Sequence, residues 1–269
     1  VAQTSIQAVY GNDDRKEIYE VDNAAARRAM QATVMIAEKA NVIEFGGEYR
    51  LTGDKYGKSM NLCPSEPFWH QPLIGFCTGV LVRPNVILTA GHCIVKQKDC
   101  SNSRVVFDVK FTGPGEFSEY APARNVRACK RIIKRENKKN GLDYAFIELD
   151  SPVHDRQPIT LSQKHDINSK VFMIGHPRGL PAKYSGPAKI YGQTDLEWIT
   201  DLDSFAGNSG SPVFEAATGA LVGILTLGED DDFQEHTKSQ CSVSKKCTAK
   251  TCYGEYVVKS QVIRQNSGL

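Results

Sequence analysis

Apolar residues in this chain fall into short runs broken by turn residues, a pattern of β-strands rather than of long amphipathic helices. Residues 76–82 and 86–89 are two such runs, and Arg83-Pro84-Asn85 between them is a hairpin signal. Further runs lie at 105–111, 126–133, 144–149, 170–174, 188–193, 198–202, 213–214, 220–227 and 256–258. Residues 31–38, with Thr33, Val34 and Ile36, make the first core strand. Strands this short and this closely spaced predict an all-β barrel or sandwich. Helix is favoured at 23–30, where Ala24-Ala25-Ala26 has high propensity and Asp22 or Asn23 supplies a cap, and at 259–264 near the carboxyl end.

The remaining segments read as connections. Residues 1–20 are polar, carry the turn signal Gly11-Asn12-Asp13-Asp14, and are expected to form a peripheral arm. Residues 46–72 hold Gly46-Gly47, Gly53, Gly57, Pro64, Pro67 and Pro72, an irregular excursion for Cys63 and the Phe68-Trp69 pair to tie down. The polar stretch 151–169 is the best crossing between two halves. The basic stretch 130–139 is read as a solvated loop, and the acidic run 229–232 as a solvated turn.

Composition narrows the class. The 269 residues suffice for two modest domains or one large one, and 41% hydrophobic with 24% charged is ordinary for a globular chain. A net charge of +2 gives no global attraction to nucleic acid or to a membrane surface. No run approaches the roughly 20 apolar residues of a spanning helix. No signal peptide is visible at Val1, which fits a cytosolic protein or a secreted one already cleaved. Eight cysteines without paired C-x-x-C spacing argue for disulfides over zinc, and so for an extracytoplasmic, oxidising compartment.

The candidate chemistry centres on Gly207-Asn208-Ser209-Gly210-Ser211-Pro212, a tight turn leading into a strand-like run. Ser209 there is placed as a nucleophile, and the amides of Gly207 and Ser209 as oxyanion donors, with no Gly207 side chain in the way. A base and its orienter are needed. Leu88-Thr89-Ala90-Gly91-His92-Cys93 ends an apolar strand in a histidine, and Asp143 opens another. Each alone is unremarkable. Together, His92, Asp143 and Ser209 stand, on a chain read as all-β, in the order of the chymotrypsin arrangement. His176 is a rival base that belongs to no triad segment and is assigned a structural role.

These three segments resemble the trypsin/chymotrypsin-fold serine peptidases. Gly207 to Val213 is most similar to the bacterial glutamyl-endopeptidase-like branch, as is Val9-Tyr10-Gly11-Asn12-Asp13-Asp14-Arg15, which resembles the mature start there. The resemblance implies two six-stranded antiparallel β-barrels with the site between them: an arm (1–30), a first barrel (31–150) and a second (151–269) ending in a short helix. It implies a secreted serine endopeptidase acting on proteins or peptides, with no cofactor and no metal. It also implies a Cys77–Cys93 bridge, and at least one local bridge is expected among Cys241, Cys247 and Cys252. Many animal members place an aspartate before the nucleophile to pair with the freed amino-terminus; Asn208 stands there and carries no charge.

Primary specificity follows from the same resemblance. Asp203, followed by Ser204, occupies the offset of the pocket floor in trypsin-like members. Thr226 and Gly228 resemble one wall, and Gly254 the second open-wall glycine. Glutamate-specific relatives carry a histidine where Leu225 stands. The expectation is cleavage after Arg or Lys; the alternatives are a Glu-specific or apolar-specific endopeptidase, or an idle binding module on the same fold. Phe205 stands where a cysteine is usual, so the pocket loop departs from the trypsin pattern.

Overall fold

The computed structural model describes residues 9–138, 141–162, 169–228, 233–236, 239–248 and 252–268. The acidic run 229–232, the first eight residues and Lys139 lie outside the described residues. The first barrel is built from β1 (Thr33–Glu38), β2 (Gly75–Arg83), β3 (Val86–Thr89), β4 (Ser103–Phe107), β5 (Val126–Asn137) and β6 (Asp143–Leu149). They close in the order β4-β5-β6-β3-β2-β1, every pair antiparallel. The second barrel uses β7 (Lys170–Gly175), β8 (Lys183–Gln193), β9 (Glu197–Thr200), β10 (Pro212–Glu215), β11 (Leu221–Leu227) and β12 (Glu255–Lys259). Its order is β7-β10-β11-β12-β9-β8, closed by pairing of β7 with β8. The fold is thus all-β, with two closed six-stranded antiparallel barrels.

Alternation along the strands sorts the core. Val34 and Ile36 of β1 join the large cluster that continues into Phe172, Ile174, Phe214 and Ile224 of the second barrel. Met35 and Ala37, one residue out of phase, join Val106 and Val126 in a separate cluster. Helix α1 (Ala24–Ala32) packs against β1, β2 and β7 and buries Ala26, Ala29 and Met30 in the shared cluster, so it joins the barrels. Asn23 caps it, its side chain accepting from the amides of Ala25 and Ala26. Helix α2 (Ser260–Ser267) ends at Gly268, whose φ of 66° is the left-handed conformation that favours glycine.

Two connections differ from expectation. The strand expected at 105–111 stops at Phe107, because Asp108 turns the chain with φ 58° and accepts from Arg156 at 2.6 Å. The basic stretch, as far as Asn137, is not a loop. Strand β5 runs on to Asn137, pairing with β6 as far as Asn137 opposite Asp143. Its cations are spoken for. Lys130 and Arg131 both bind Glu148, at 2.9 and 2.5 Å, and Arg135 donates to the Gly91 carbonyl at 2.6 Å.

Four disulfides pin the loops: Cys63–Cys241, Cys77–Cys93, Cys100–Cys129 and Cys247–Cys252. The first ties the 46–72 excursion to the loop before β12. The excursion also holds the short strand Glu48–Leu51 and the one-turn helix Tyr56–Ser59, with Tyr56 fully buried.

Candidate functional site

The Ser209 turn is gripped from both barrels. The Thr78 amide of β2 donates to the Ser209 carbonyl at 2.9 Å, and the Thr78 hydroxyl to the Gly207 carbonyl at 3.0 Å. From the second barrel, Leu225 accepts from the Gly210 amide at 2.7 Å. Gly210 has φ 84°, and a Cβ there would lie 2.2 Å from the Thr78 carbonyl oxygen, so the turn closes only around glycine. A Cβ on Gly207, at φ 95°, would come within 2.8 Å of the Arg178 amide and the His176 carbonyl. Asn208 is buried. It donates to Ser204 Oγ at 3.0 Å and accepts from Ser211, taking a neutral internal role at the position where other members carry a charge.

His92 and Asp143 meet at two points. The imidazole Nδ1 lies 2.5 Å from Oδ2 and the His92 amide 3.0 Å from Oδ1. A carboxylate only accepts, so Nδ1 is the donor in this contact and carries a ring proton. Gly91 permits this approach, since a Cβ would sit 2.0 Å from the Glu136 carbonyl and 2.8 Å from Asp143 Oδ1. The Cys77–Cys93 bridge lies beside the pair, with Cys93 Sγ 3.7 Å from the Ser209 carbonyl oxygen. The structure therefore brings the segments of His92, Asp143 and Ser209 to one seam. Cys77, His92 and Cys93 cluster at metal-ligand distance, but both sulfurs are in the disulfide and offer no thiolate.

Glu197 is a neighbour that sequence reasoning missed. Burial, and then the charge of Asp143, push its carboxyl up to about 7. A Cβ on Gly141 would touch it at 2.4 Å. A single glutamate before Trp198 gave no signal, because its environment comes from the other barrel. His176 is fully buried, with Nδ1 2.9 Å from the Leu180 carbonyl and no partner for Nε2 among the described residues. Burial holds its ring down at about 4.

The residues assigned to the pocket divide. Asp203 is 3% exposed, and its carboxylate accepts from the amides of Tyr10 at 2.6 Å and Asp14 at 2.8 Å. Burial, together with the adjoining Asp14 carboxyl, pushes it well above the usual carboxylate range. Ser204 is buried against Asn208, and Thr226 is buried with no partner for its hydroxyl among the described residues. Gly228 ends its described segment. Gly254 is not an open wall: a Cβ there would sit 2.1 Å from the Tyr191 hydroxyl. Phe205 packs on Phe233, centroids 5.6 Å apart, and carries the Arg15 guanidinium 3.9 Å over its ring. Leu225 lies in the second-barrel core and presents nothing polar.

The arm is correspondingly more than peripheral from Val9 onward. Arg15 is buried and paired with Asp13 at 2.6 Å. The strand Lys16–Glu17 extends the second sheet along β8. Glu17 meets the buried Lys183 at 3.1 Å, with Gln71 also on the ammonium at 2.8 Å. Burial lowers Lys183 to about 8.

Two closed antiparallel barrels with a histidine–carboxylate pair and a glycine-flanked serine at their junction define the trypsin fold class. Residues 77–224 match the trypsin-like peptidase domain, and the chain belongs to that family. The glutamyl endopeptidase of Bacillus licheniformis is 27% identical over 154 residues, which is 54% of this chain and 47%, about half, of that protein. Among solved structures, a Glu endopeptidase in complex with MPD aligns with TM-score 0.50 and 18% identity, covering 90% of this chain and 95% of that one. The inactive form of the Rv3671c protease aligns with TM-score 0.53 and 12% identity over 98% of both chains; a related structure of it is from M. tuberculosis H37Rv. These structural likenesses speak to the fold.

Proposed function

We propose that the protein is a serine endopeptidase in which Ser209 attacks the scissile carbonyl. His92 Nε2 takes the hydroxyl proton and delivers it to the departing amine, giving an acyl-enzyme that water then hydrolyses by the same relay. Asp143 holds the tautomer and stabilises the imidazolium, while the Gly207 and Ser209 amides receive the oxyanion. The observation that carries this reading is the two-point clamp of Asp143 on the His92 ring and amide, beside the Ser209 turn. Ser209→Ala is expected to lower kcat by several orders of magnitude with the fold retained. Retained peptidase activity in that variant refutes the assignment, and a folded wild type with no activity favours the idle binding module. Four disulfides support an extracytoplasmic location.

The finer part of the proposal is cleavage after Arg or Lys, with Asp203 as receptor and Leu225 leaving nothing to recognise glutamate. A second reading rests on the Tyr10 and Asp14 amides at Asp203. In it Asp203 is the dock of the arm, and specificity is set elsewhere. Asp203→Asn separates them. If Asp203 reads substrate, kcat/KM for arginyl peptides falls at least about tenfold relative to other peptides, roughly 1.4 kcal/mol. If it docks the arm, Tm falls and the ranking of substrates is unchanged.

A further inference from the structure

Thr78 lies on β2 directly after Cys77, and its side chain is fully buried. Its pairing opposite Met35 of β1 needs no side-chain hydroxyl. A valine would fill the same space and bring no polar atom to satisfy. The hydroxyl is nonetheless engaged on both sides, and both partners adjoin the Ser209 turn. It accepts from the His176 amide at 3.0 Å and donates to the Gly207 carbonyl at 3.0 Å. An amide only donates and a carbonyl only accepts, so the hydroxyl proton points at Gly207. The backbone of Thr78 is engaged as well. Its amide donates to the Ser209 carbonyl at 2.9 Å, and its carbonyl accepts from the hydroxyl of Thr89, three residues before His92, at 2.6 Å.

Thr78 thus holds the carbonyls of Gly207 and Ser209, the two residues whose amides are assigned above to the oxyanion; this inference rests on that assignment. The peptide groups that carry those two amides are anchored too. The Arg178 amide donates to the Ala206 carbonyl, and the Ser211 amide to the Asn208 carbonyl at 2.7 Å. In a trans peptide the C=O and the N–H point opposite ways, so each bond turns the Gly207 or the Ser209 N–H away from the anchor. The least constrained member is Gly207, at φ 95° and without a side chain to limit its rotation. We propose that Thr78 is a positioning residue: its hydroxyl, itself fixed by the His176 amide, locks the Gly207 peptide so that both oxyanion donors are aimed before substrate arrives. The effect falls on the transition state, because the oxyanion develops only there. Loss of a whole oxyanion donor costs about 10²–10³ in kcat, and loosening one costs less.

The test compares Thr78→Val, which removes the hydroxyl at similar volume, with Thr78→Ser, which keeps it. Both are assayed well below their Tm on a peptide that wild type cleaves. Thr78→Val is expected to lower kcat about tenfold or more with KM within about twofold. Affinity for phenylboronic acid, whose tetrahedral adduct on Ser209 places an oxygen on the same amides, should fall by the same factor. Thr78→Ser should restore both. A residue serving only the fold would lower Tm without this split. A Thr78→Val enzyme within about twofold of wild type in kcat overturns the proposal, as does a Thr78→Ser enzyme equally slow, or a loss of kcat with boronate affinity unchanged. Crystal structures of wild type, free and with the boronate, test it without any variant. The Gly207 carbonyl is expected on the Thr78 hydroxyl in both, and a Gly207 peptide that turns over on binding overturns the proposal. Wild type that neither cleaves peptides nor reacts with a fluorophosphonate removes the catalytic reading instead, and this inference with it.

Discussion

At the scale of single residues, the site depends on groups whose neighbours are far away in sequence. Asp143 offers both oxygens to His92, and the approach exists because Gly91 has no side chain. The Thr-Ala-Gly-His-Cys pattern made this legible without coordinates. Asp203 was legible as a carboxylate shortly before Ser209, but its partners, the Tyr10 and Asp14 amides, are 193 and 189 residues away and left no local trace. The buried titratable groups give opposing dependences of stability on pH. His176 is held down to about 4 from the ordinary imidazole value of 6.5 by its burial. Between those values the unfolded chain binds a proton that the folded one refuses, so stability is present above 6.5 and is lost as pH falls toward 4. Its full size is on the order of 3 kcal/mol. His176→Asn, which keeps a donor for the Leu180 carbonyl, should flatten that acid limb in denaturant unfolding from about pH 7 to 4. An unchanged limb would mean that the loss comes from other groups. Glu197, raised to about 7 from 4.5, acts in the opposite sense. Its contribution is full below 4.5 and is lost as pH rises through 7, so Glu197→Gln should remove a fall in stability on that side.

At the scale of elements, strands with apolar faces were easy to read and charged strands were not. The run Val86–Thr89 is continuous apolar residues and its bounds are plain. Strand β5 continues past Ile133 into Lys134, Arg135 and Glu136, which read as solvent-facing loop because no apolar alternation marks them. Partners on β6 decide otherwise, and Glu148 with the Gly91 carbonyl absorbs the charge. An exposed loop this basic would be open to an Arg/Lys-specific protease. The ladder now predicts that bonds after Lys130, Arg131, Lys134 and Arg135 survive in the native state, because a protease needs extended, unpaired backbone. Limited digestion of Ser209→Ala with an Arg/Lys-specific protease, followed by fragment masses, checks this; first cuts within β5 would contradict it.

At the scale of the whole molecule, two barrels meet at a seam where β2 of one holds the Ser209 turn of the other through Thr78. Helix α1 and the arm brace that seam from outside. The arm strand Val9–Tyr10 pairs with Lys246–Cys247, and Cys63–Cys241 ties the same loop to the 46–72 excursion. That bridge closes the longest loop of the four, with a separation of 178 residues. The chain-entropy model assigns it roughly 5 kcal/mol, less any strain. Replacing Cys63 and Cys241 by serine should therefore lower Tm by many degrees, with loss of arm docking. An unaltered Tm would show that the loops hold without it. The barrel count and the seam came with the family resemblance that the three motifs carry, whereas the arm's course over Asp203 did not, since no strand pattern or motif spacing specifies which loop a polar arm will cross. Every function proposed for this molecule requires that the seam make Ser209 a nucleophile. The most direct measurement of this is mass mapping after incubation with a fluorophosphonate. The prediction is one adduct per chain, on the peptide containing Ser209, abolished by His92→Ala. No adduct on folded protein, or an adduct on Ser211 or another serine that persists in His92→Ala, would contradict it.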